Sequence, residues 1–213
     1  MPLTRNLPLT PSQSALLFID VQNFSAHRKG GEFKDIPPED FEKTCGWYFD
    51  KFQAETLPNM QALQSGCRKA GIEVMYTTIE SLTKDGRDRS LDYKITGFNV
   101  PKGAWDAKVL DAIAPGEDEI VLPKSSSSVF ISTNIDYLLR NLGVRQIVLS
   151  GLLTDQCVES AVRDACDLGY LVTLVTDACL TFTQDRHDNS LKTIKGYCRQ
   201  VTTAELLAEL SQG

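Results

Sequence analysis

The sequence predicts an α/β domain of three layers, in which helices cover both faces of a doubly wound, mainly parallel sheet of six strands. Short apolar runs alternate along the chain with longer segments of helical periodicity, which is the βαβ pattern. These runs are continuously apolar, as is typical of strands buried on both faces. The 213 residues, 42% of them hydrophobic, are enough for one core, and no repeat or linker interrupts them. We therefore expect a single domain over residues 1–213.

The first half of the chain predicts three strands separated by helices and loops. Prolines and acidic residues mark the start of a long helix at 37–38, and Pro58 predicts a break within it. The connection over 79–105 is rich in charge and turn residues, and a loop of that length is often a functional lid. In order, we predict an arm (1–13), a strand (15–19), a polar loop (21–35), the broken helix (37–71), a strand (72–77), the long connection (79–105), a short helix (105–113) and a strand (119–122).

The second half continues the alternation of helix and strand. Ser132 or Thr133 is predicted to cap a helix that Gly143 ends, and Gly169 ends the helix after it. In order, we predict a helix (134–143), a strand (146–149), a tight turn (150–151), a helix (157–168), a strand (170–175), a helix (185–195), a strand (199–202) and a last helix (204–210).

The charge of the chain argues against nucleic acid as a partner. The net charge is −6 and the isoelectric point is near 5.0, whereas phosphate binding favours clustered Lys and Arg. No apolar run approaches the length of a membrane span, and the first residues lack the apolar core of a signal peptide. We therefore expect a cytoplasmic protein that acts on a small molecule, with no membrane partner.

The cysteines and histidines do not form a recognisable metal or disulfide pattern. The chain has six cysteines, none in a C-x-x-C pair, and a core of this size does not need disulfides. The two histidines, His27 and His187, lie far apart in sequence. We therefore expect no zinc site with standard ligand spacing. We also expect no cofactor.

Three reactive side chains follow apolar strands directly. Asp20 ends the first strand, Lys124 ends the third, and Cys157 lies a tight turn beyond the fourth, where a helix is predicted to begin. The carboxyl ends of parallel strands meet at one edge of a sheet, so we expect the three to converge there. A helix N-terminus favours a thiolate, and we expect the pKa of Cys157 to be depressed. Each residue alone has an ordinary alternative, as a strand-end turn residue or a small core side chain, but the combination favours catalysis.

The chain resembles the isochorismatase-like cysteine hydrolases, a superfamily that includes nicotinamidases, N-carbamoylsarcosine amidase, ureidoacrylate hydrolases and biuret hydrolases. The stretches that carry the resemblance are LLFIDVQN (16–23), PKSSSSVFISTNIDYLLRNLGV (123–144) and GLLTDQCVESAVRDACDLGYLVTLVTDAC (151–179). They span nearly the whole chain and indicate superfamily and fold, although not the substrate.

The resemblance implies a catalytic triad of Asp20, Lys124 and Cys157. In that scheme Asp20 takes the thiol proton, Cys157 attacks a carbonyl carbon to form a thioester, and Lys124 stabilises charge. The resemblance also implies an oxyanion hole made by the backbone N–H groups of Leu153 and Cys157, with a cis peptide between Leu152 and Leu153. Dimers or tetramers are common among such proteins, so a homo-oligomer is expected.

Two departures from the family pattern limit the reactions and substrates that we expect for this chain. Members that cleave the vinyl ether of isochorismate generally lack the cysteine, so Cys157 favours cleavage of a C–N bond. Metal-bearing nicotinamidases carry histidines after the second strand, where this chain reads TTIESLTKDGRD (77–88). The resemblance therefore implies no metal and makes nicotinamide a less favoured substrate.

The residues predicted to bind substrate follow the first two strands or lie in the 79–105 connection. Phe24 could form an apolar wall or be an ordinary core aromatic, and Glu80 could bind ureido N–H groups or be a solvated loop carboxylate. Gln22 could also brace Asp20. The candidate set is Gln22, Asn23, Phe24, Glu80, Tyr93 and Trp105.

Several other polar residues have an ordinary alternative to a role in the site. Arg87, Arg89 and Lys94 could grip a substrate carboxylate or simply face solvent. His27 could reach the site, His187 is better explained as a cap or packing residue, and the serines at 125–128 as turn and cap residues.

The sequence leaves three functions open. The favoured one is a cysteine-dependent amidohydrolase that acts on a small linear amide, ureido or carbamoyl compound through a thioester. The alternatives are a hydrolase of the same fold that cleaves another bond, such as a vinyl ether, and a catalytically silent member that binds a ligand or senses redox state.

Overall fold

The computed structural model describes residues 4–212 and contains a parallel sheet of six strands in the order β3-β2-β1-β4-β5-β6. Helices flank this sheet, and the predicted fold class is confirmed. The part of the predicted arm at 1–3, together with residue 213, lies outside the described residues. The strands are β1 (Ser14–Ile19), β2 (Glu73–Ile79), β3 (Ile120–Lys124), β4 (Gln146–Leu152), β5 (Leu171–Leu180) and β6 (Arg199–Val201).

The α-helices lie between and after these strands. Within residues 4–212, no helix has the length and apolar character needed to cross a bilayer. The helices are α1 (Asn23–Ala26), α2 (Phe41–Lys51), α3 (Leu57–Lys69), α4 (Leu91–Ile95), α5 (Val129–Ser132), α6 (Ile135–Asn141), α7 (Glu159–Asp167), α8 (Gln184–Ile194) and α9 (Thr203–Leu210).

The strand order reverses between β1 and β4, which places a crevice at the carboxyl ends of the central strands. The chain adds β2 and β3 on one side of β1 and then returns to add β4 on the other side. Ile19 at the end of β1 pairs with Gly151 of β4, and Ile79 at the end of β2 pairs with Lys124. Residues far apart in sequence therefore meet at the topological switch point, where ligands bind in open α/β sheets.

Successive residues of β1 face opposite sides of the sheet and enter two separate apolar layers. Leu16 and Phe18 pack in one layer, whereas Ala15, Leu17 and Ile19 pack in the other. Every residue of β1 is buried. This explains why the run is continuously apolar, because neither face of the central strand meets solvent.

Two segments between β2 and β3 have a secondary structure that differs from the prediction. The helix predicted over 105–113 is instead two separate 3₁₀ turns, Trp105–Ala107 and Asp111–Ile113. Between them Val109 forms a bridge with Gln22, so the backbone there is extended. The 79–105 connection contains the short helix α4, whose first turn is capped by the Ser90 hydroxyl.

The long helix predicted over 37–71 is interrupted just before Pro58. A π-helical turn, Phe52–Thr56, joins α2 to α3, and Pro58 lies in the first turn of α3. Proline has no N–H to donate to the preceding turn, so the wider π turn accommodates the missing hydrogen bond. Four strands also extend beyond their predicted ends: β2 to Ile79, β3 to Lys124, β4 to Leu152 and β5 to Leu180.

Candidate active site

Asp20 is the residue that follows β1, and its backbone conformation is unusual for a non-glycine residue. Its φ is +55°, a left-handed value that Asp tolerates better than most residues. The Asp20 N–H donates to the Thr77 carbonyl at 3.1 Å, and the Thr77 hydroxyl donates to Oδ1 at 2.9 Å. These contacts fix the carboxylate, which is only 1% exposed.

Lys124 ends β3, and its side chain is completely buried. Its Nζ lies 2.8 Å from Asp20 Oδ2 and 3.3 Å from Cys157 Sγ, and it donates to the Ser126 carbonyl at 2.9 Å. An ammonium has three N–H donors, so these three neighbours use its full capacity. Lys124 therefore joins the carboxylate and the thiol at the edge of the sheet.

Cys157 lies in a tight turn after β4. The peptide bond between Leu152 and Leu153 is cis, and a π-helical turn, Thr154–Val158, carries the cysteine. Gly151 has φ +139°, and a Cβ at this position would lie 2.2 Å from the Ile19 carbonyl oxygen, so only glycine lets β4 approach β1 here. The helix predicted to begin at about Cys157 begins earlier, because the π-helical turn starts at Thr154 and continues into α7 at Glu159.

Side chains from α8 and the end of β5 hold this turn in place. His187 Nδ1 lies 2.8 Å from the Thr154 hydroxyl, and the Ser190 hydroxyl donates to the Thr154 carbonyl. Asp155 accepts from Thr181 and from Arg186, both at 2.6 Å. His187 is buried, and burial lowers its pKa, so it packs against the turn as a neutral group.

The three buried groups perturb each other's ionisation. Burial raises the pKa of the Cys157 thiol to about 12, and the Lys124 ammonium opposes part of that rise. Burial also raises the pKa of Asp20, again opposed by Lys124. Burial disfavours the charge of Lys124, but the neighbouring Asp20 and Cys157 outweigh this and raise the pKa of Lys124.

The expected depression of the Cys157 pKa is therefore wrong for the resting site. The prediction relied on a helix N-terminus, but the sulfur is buried inside the π-helical turn that runs into α7, with the residue only 5% exposed. Desolvation disfavours the thiolate more strongly than one nearby ammonium stabilises it. Cys157 is thus a neutral thiol at rest, and it needs a base in contact to become a nucleophile.

One carboxylate oxygen of Asp20, Oδ2, is available to act as that base. Oδ2 lies 2.8 Å from the Lys124 nitrogen and accepts no other hydrogen bond from the described part of the chain. A carboxylate oxygen with an unused lone pair can accept the thiol proton.

The thiol and the carboxylate open into a cavity of about 430 Å³. Leu152, Leu153 and Ile79 provide apolar surface, and Glu32 and Asp92 add two acidic groups. The residues that line the cavity are Asp20, Ser25, Glu32, Ile79, Asp92, Tyr93, Thr96, Phe98, Ser127, Leu152, Leu153, Gln156 and Cys157.

Two of the aromatic residues predicted to bind substrate lie at or just behind the cavity wall. Tyr93 lines the cavity and is 6% exposed. Phe24 packs edge-on against Phe98 with ring centroids 4.7 Å apart, and it is Phe98 that meets the cavity. Phe24 therefore supports the wall as a core aromatic, which was the alternative interpretation.

Gln22 and Asn23 were predicted as substrate-binding residues, but their side chains bond to the protein backbone. The Gln22 amide donates to the Ile79 and Asp106 carbonyls at 3.0 and 2.9 Å and accepts from the Ile79 N–H at 2.6 Å. The Asn23 amide donates to the Trp105 carbonyl at 3.0 Å. Gln22 is fully buried and braces the ends of β1 and β2, whereas Asp20 is braced by Thr77.

Glu80 and Trp105 also lie outside the cavity lining, which corrects their predicted role. The Glu80 carboxylate accepts from the Gly103 N–H at 2.6 Å and so closes a loop. Trp105 is 46% exposed and packs edge-on against His27, with ring centroids 5.0 Å apart. Periodicity does not determine where such loop side chains point.

The basic residues of the 79–105 connection do not line the cavity either. Arg89 donates to the Gly86 and Phe98 carbonyls at 2.9 and 2.8 Å, which shapes the connection itself. Arg87 pairs with Asp85 on the surface at 2.9 Å. Lys94 is exposed on α4.

Glu32 is the lining residue that sequence reasoning missed. It lies in a 3₁₀ turn, Gly31–Phe33, inside the segment predicted as a plain polar loop. Burial raises the pKa of Glu32 to about 7, and the negative charge of Asp20 adds to the rise. No sequence signal separates Glu32 from other loop carboxylates, because its position depends on how this turn folds over the sheet edge.

The described residues bring no group of three or more His, Cys, Asp or Glu side chains into an arrangement that could hold a metal ion. The reactive groups at the centre of the site are a carboxylate and a thiol, each in contact with the same ammonium.

The fold and the site together define an α/β protein with a thiol, a carboxylate and an ammonium buried at the switch point of a parallel sheet. Residues 14–206 match the Isochorismatase domain family. This match covers most of the chain, which therefore belongs to the isochorismatase family of hydrolases.

Relatives with named activities lie in the same family. The chain is 29% identical to the ureidoacrylate amidohydrolase RutB of Rhizobium rhizogenes over 188 residues, which is 81% of this chain and 72% of that protein. It is 30% identical to the RutB of Pantoea ananatis over 185 residues, which is 79% of this chain and 70% of that protein.

Solved structures share the fold. A cysteine hydrolase from Pseudomonas syringae superposes with a TM-score of 0.81 at 23% identity, over 100% of this chain and 98% of that one. N-carbamoylsarcosine amidase from Thermoplasma acidophilum superposes with a TM-score of 0.69 at 25% identity, over 90% of this chain and 96% of that one.

Proposed function

We propose that this protein is a cysteine-dependent amidohydrolase that cleaves a C–N bond of a small linear amide, ureido or carbamoyl compound through a thioester. The observation that carries the proposal is the buried contact of Lys124 with both Asp20 (2.8 Å) and Cys157 (3.3 Å) beside a cavity. The activities in the names of the RutB relatives and of N-carbamoylsarcosine amidase support the same class of bond.

In the first half of the reaction, Asp20 takes the thiol proton as Cys157 Sγ attacks the carbonyl carbon. The negative charge on sulfur is transient, and the Lys124 ammonium in contact with it lowers the cost of forming it. The C–N bond then breaks, and the proton held by Asp20 passes to the leaving nitrogen. Ammonia or an amine departs, and the acyl or carbamoyl group remains on sulfur as a thioester.

In the second half, water attacks the thioester carbonyl while Asp20 accepts a proton from it. The C–S bond breaks, the acid product leaves, and the proton returns to Cys157. Asp20 thus acts as base and acid in each half, so its raised pKa suits the role better than that of an ordinary carboxylate.

We assign the oxyanion hole to the backbone N–H groups of Leu153 and Cys157. The turn that carries them is closed by the N–H groups of Gln156 and Val158, which donate to the Leu153 carbonyl at 3.1 and 3.3 Å. A turn held this way is preorganised, and each well-placed donor contributes roughly 2.7–4 kcal/mol of transition-state stabilisation.

Release of ammonia from a panel of small amides tests the proposal. The panel holds simple aliphatic amides, ureido acids, carbamoyl amino acids, biuret and nicotinamide, and we expect wild-type protein to release ammonia from at least one of the linear compounds. The Cys157→Ser variant run on the same panel controls for contaminating activity. Cleavage of a vinyl ether without any amide would favour the first alternative, and inactivity on both would favour a silent binding or redox-sensing protein.

A further inference from the structure

The cavity that holds the candidate nucleophile has an acidic lining. Glu32 lies on its wall and Asp92 on α4 lies at its edge, in addition to Asp20, and the lining contains no Arg, Lys or His. The ammonium of Lys124 is fully buried, with its three donors directed to Asp20, Cys157 and Ser126. It therefore balances the charge of Asp20, and no basic side chain of the cavity lining compensates the other two carboxyl groups.

The turn that carries Glu32 is held in place by contacts of the residues on either side of it. The N–H of Gly31 donates to Asp106 at 3.2 Å, and Phe33 is buried among aromatic rings, edge-on to Phe49 with centroids 5.0 Å apart. These contacts on both sides fix the backbone of the turn. The carboxyl group between them is thus carried on a fixed stretch of backbone at the cavity wall.

The carboxyl group of Glu32 has no partner of its own in the described part of the chain. No hydrogen bond contributes to its ionisation, and its charged neighbours are Asp20 and Arg186. Arg186 is already paired with Asp155 at 2.6 Å and lies over the ring of Phe182. Glu32 is partly buried at the cavity wall, where its carboxylate is less well solvated than one on the surface, so a ligand that supplies a donor or a positive charge is favoured.

We propose that Glu32 is the specificity-determining residue of the site, selecting small amides whose far end carries a positively charged or N–H-rich group. The inference rests on the proposed amidohydrolase function and narrows its substrate class. A substrate with a free carboxylate at that end would meet Glu32 and Asp92 with no cation to offset the repulsion. The ureido acids named for the RutB relatives therefore do not match this cavity.

Three amides of similar length test the selection directly. They share one primary amide and differ at the far end: 4-aminobutanamide carries an ammonium, succinamide a neutral amide and succinamate a carboxylate. At pH 8, where Glu32 is ionised, we expect kcat/KM to be about 10²-fold higher for 4-aminobutanamide than for succinamate. The Glu32→Gln variant should reduce this ratio at least about tenfold, whereas Glu39→Gln, an exposed carboxyl before α2, should leave it unchanged.

A second measurement tests the charge of the cavity without any hydrolysis. Cationic 2-aminoethyl and anionic 2-sulfonatoethyl methanethiosulfonate each modify thiols, and mass spectrometry of the peptide that contains Cys157 follows each rate. Each rate is divided by the rate of the same reagent with free 2-mercaptoethanol, which corrects for the intrinsic reactivity of the reagent. We expect the corrected rate at Cys157 to be higher for the cationic reagent. This preference should be smaller in Glu32→Gln and unchanged in Glu39→Gln.

The outcomes separate this inference from the proposed function. A preference for succinamate, or a charge preference at Cys157 equal in wild type and Glu32→Gln, would overturn the role of Glu32 even if amides are hydrolysed. A Glu32-dependent preference at Cys157 in a protein that hydrolyses no amide would uphold the assignment of Glu32 as the selecting charge and count against the amidohydrolase.

Discussion

Replacement of Cys157 by serine is expected to reduce kcat/KM for amide hydrolysis by about 10⁴-fold or more. A serine hydroxyl is a much weaker acid than a thiol, so Asp20 and Lys124, which suffice for the buried thiol, would leave the hydroxyl protonated. The loss should appear in kcat, measured by ammonia release, while the circular dichroism spectrum and the unfolding midpoint stay close to wild type.

Cys166→Ser is the matched control for this variant. Cys166 lies on α7 at the partly exposed end of the same helix segment, away from the cavity. We expect it to retain wild-type turnover. Full activity of Cys157→Ser would exclude the thioester route.

Asp20→Asn is expected to lower kcat/KM by roughly 10³- to 10⁵-fold, because removal of the base also removes the acid that protonates the leaving group. The amide can still accept the Thr77 hydroxyl bond, but it leaves Lys124 without its ionic partner. Breaking a buried pair by removing one charge costs about 3–5 kcal/mol, so we expect a lower unfolding midpoint as well. Activity should therefore be measured on folded protein well below that midpoint.

The pH dependence of kcat/KM provides a second test of the Asp20→Asn variant. Wild-type kcat/KM should fall as the pH drops and Asp20 gains a proton, with an apparent pKa above the ordinary aspartate value of 3.8 because burial raises it. With succinamide, whose far end carries no charge, the acidic limb should disappear from the residual activity of Asp20→Asn and remain in Asp118→Asn, an exposed carboxyl at the opposite end of β3. An Asp20→Asn enzyme with an unchanged acidic limb would remove Asp20 from the role of base.

The convergence of Asp20, Lys124 and Cys157 could be predicted because it follows from sheet topology. Each residue comes directly after an apolar run, and parallel strands end at the same edge. The strand order determines where along that edge they meet, because the three side chains lie at the switch point between β1 and β4. Apolar periodicity is sufficient to locate such strand ends to within a few residues.

The ionisation of the thiol could not be predicted in the same way. It depends on how deeply the sulfur is buried once the turn after β4 has folded at the sheet edge. Desolvation disfavours the thiolate and dominates the pKa of the thiol, even though Cys157 lies in the first turn of a helical segment. The depth of burial is not encoded in a local pattern.

The substrate-binding residues were the least predictable part of the site. Gln22 and Glu80 lie close in sequence to strand ends, yet their side chains bond to backbone groups that the loops leave unpaired. Glu32 lies in an apparently featureless loop, yet its turn folds over the cavity. Loop side chains follow the backbone hydrogen bonds of the loop, which only the folded chain reveals.

Rapid acid quenching of wild-type protein during turnover, followed by mass spectrometry of the peptide that contains Cys157, tests the central claim most directly. The account predicts an adduct on that sulfur with the mass of the acyl or carbamoyl group, formed no more slowly than product appears and absent from Cys157→Ala. Turnover with no adduct on Cys157 at any quench time, or with the adduct on another residue, would contradict it.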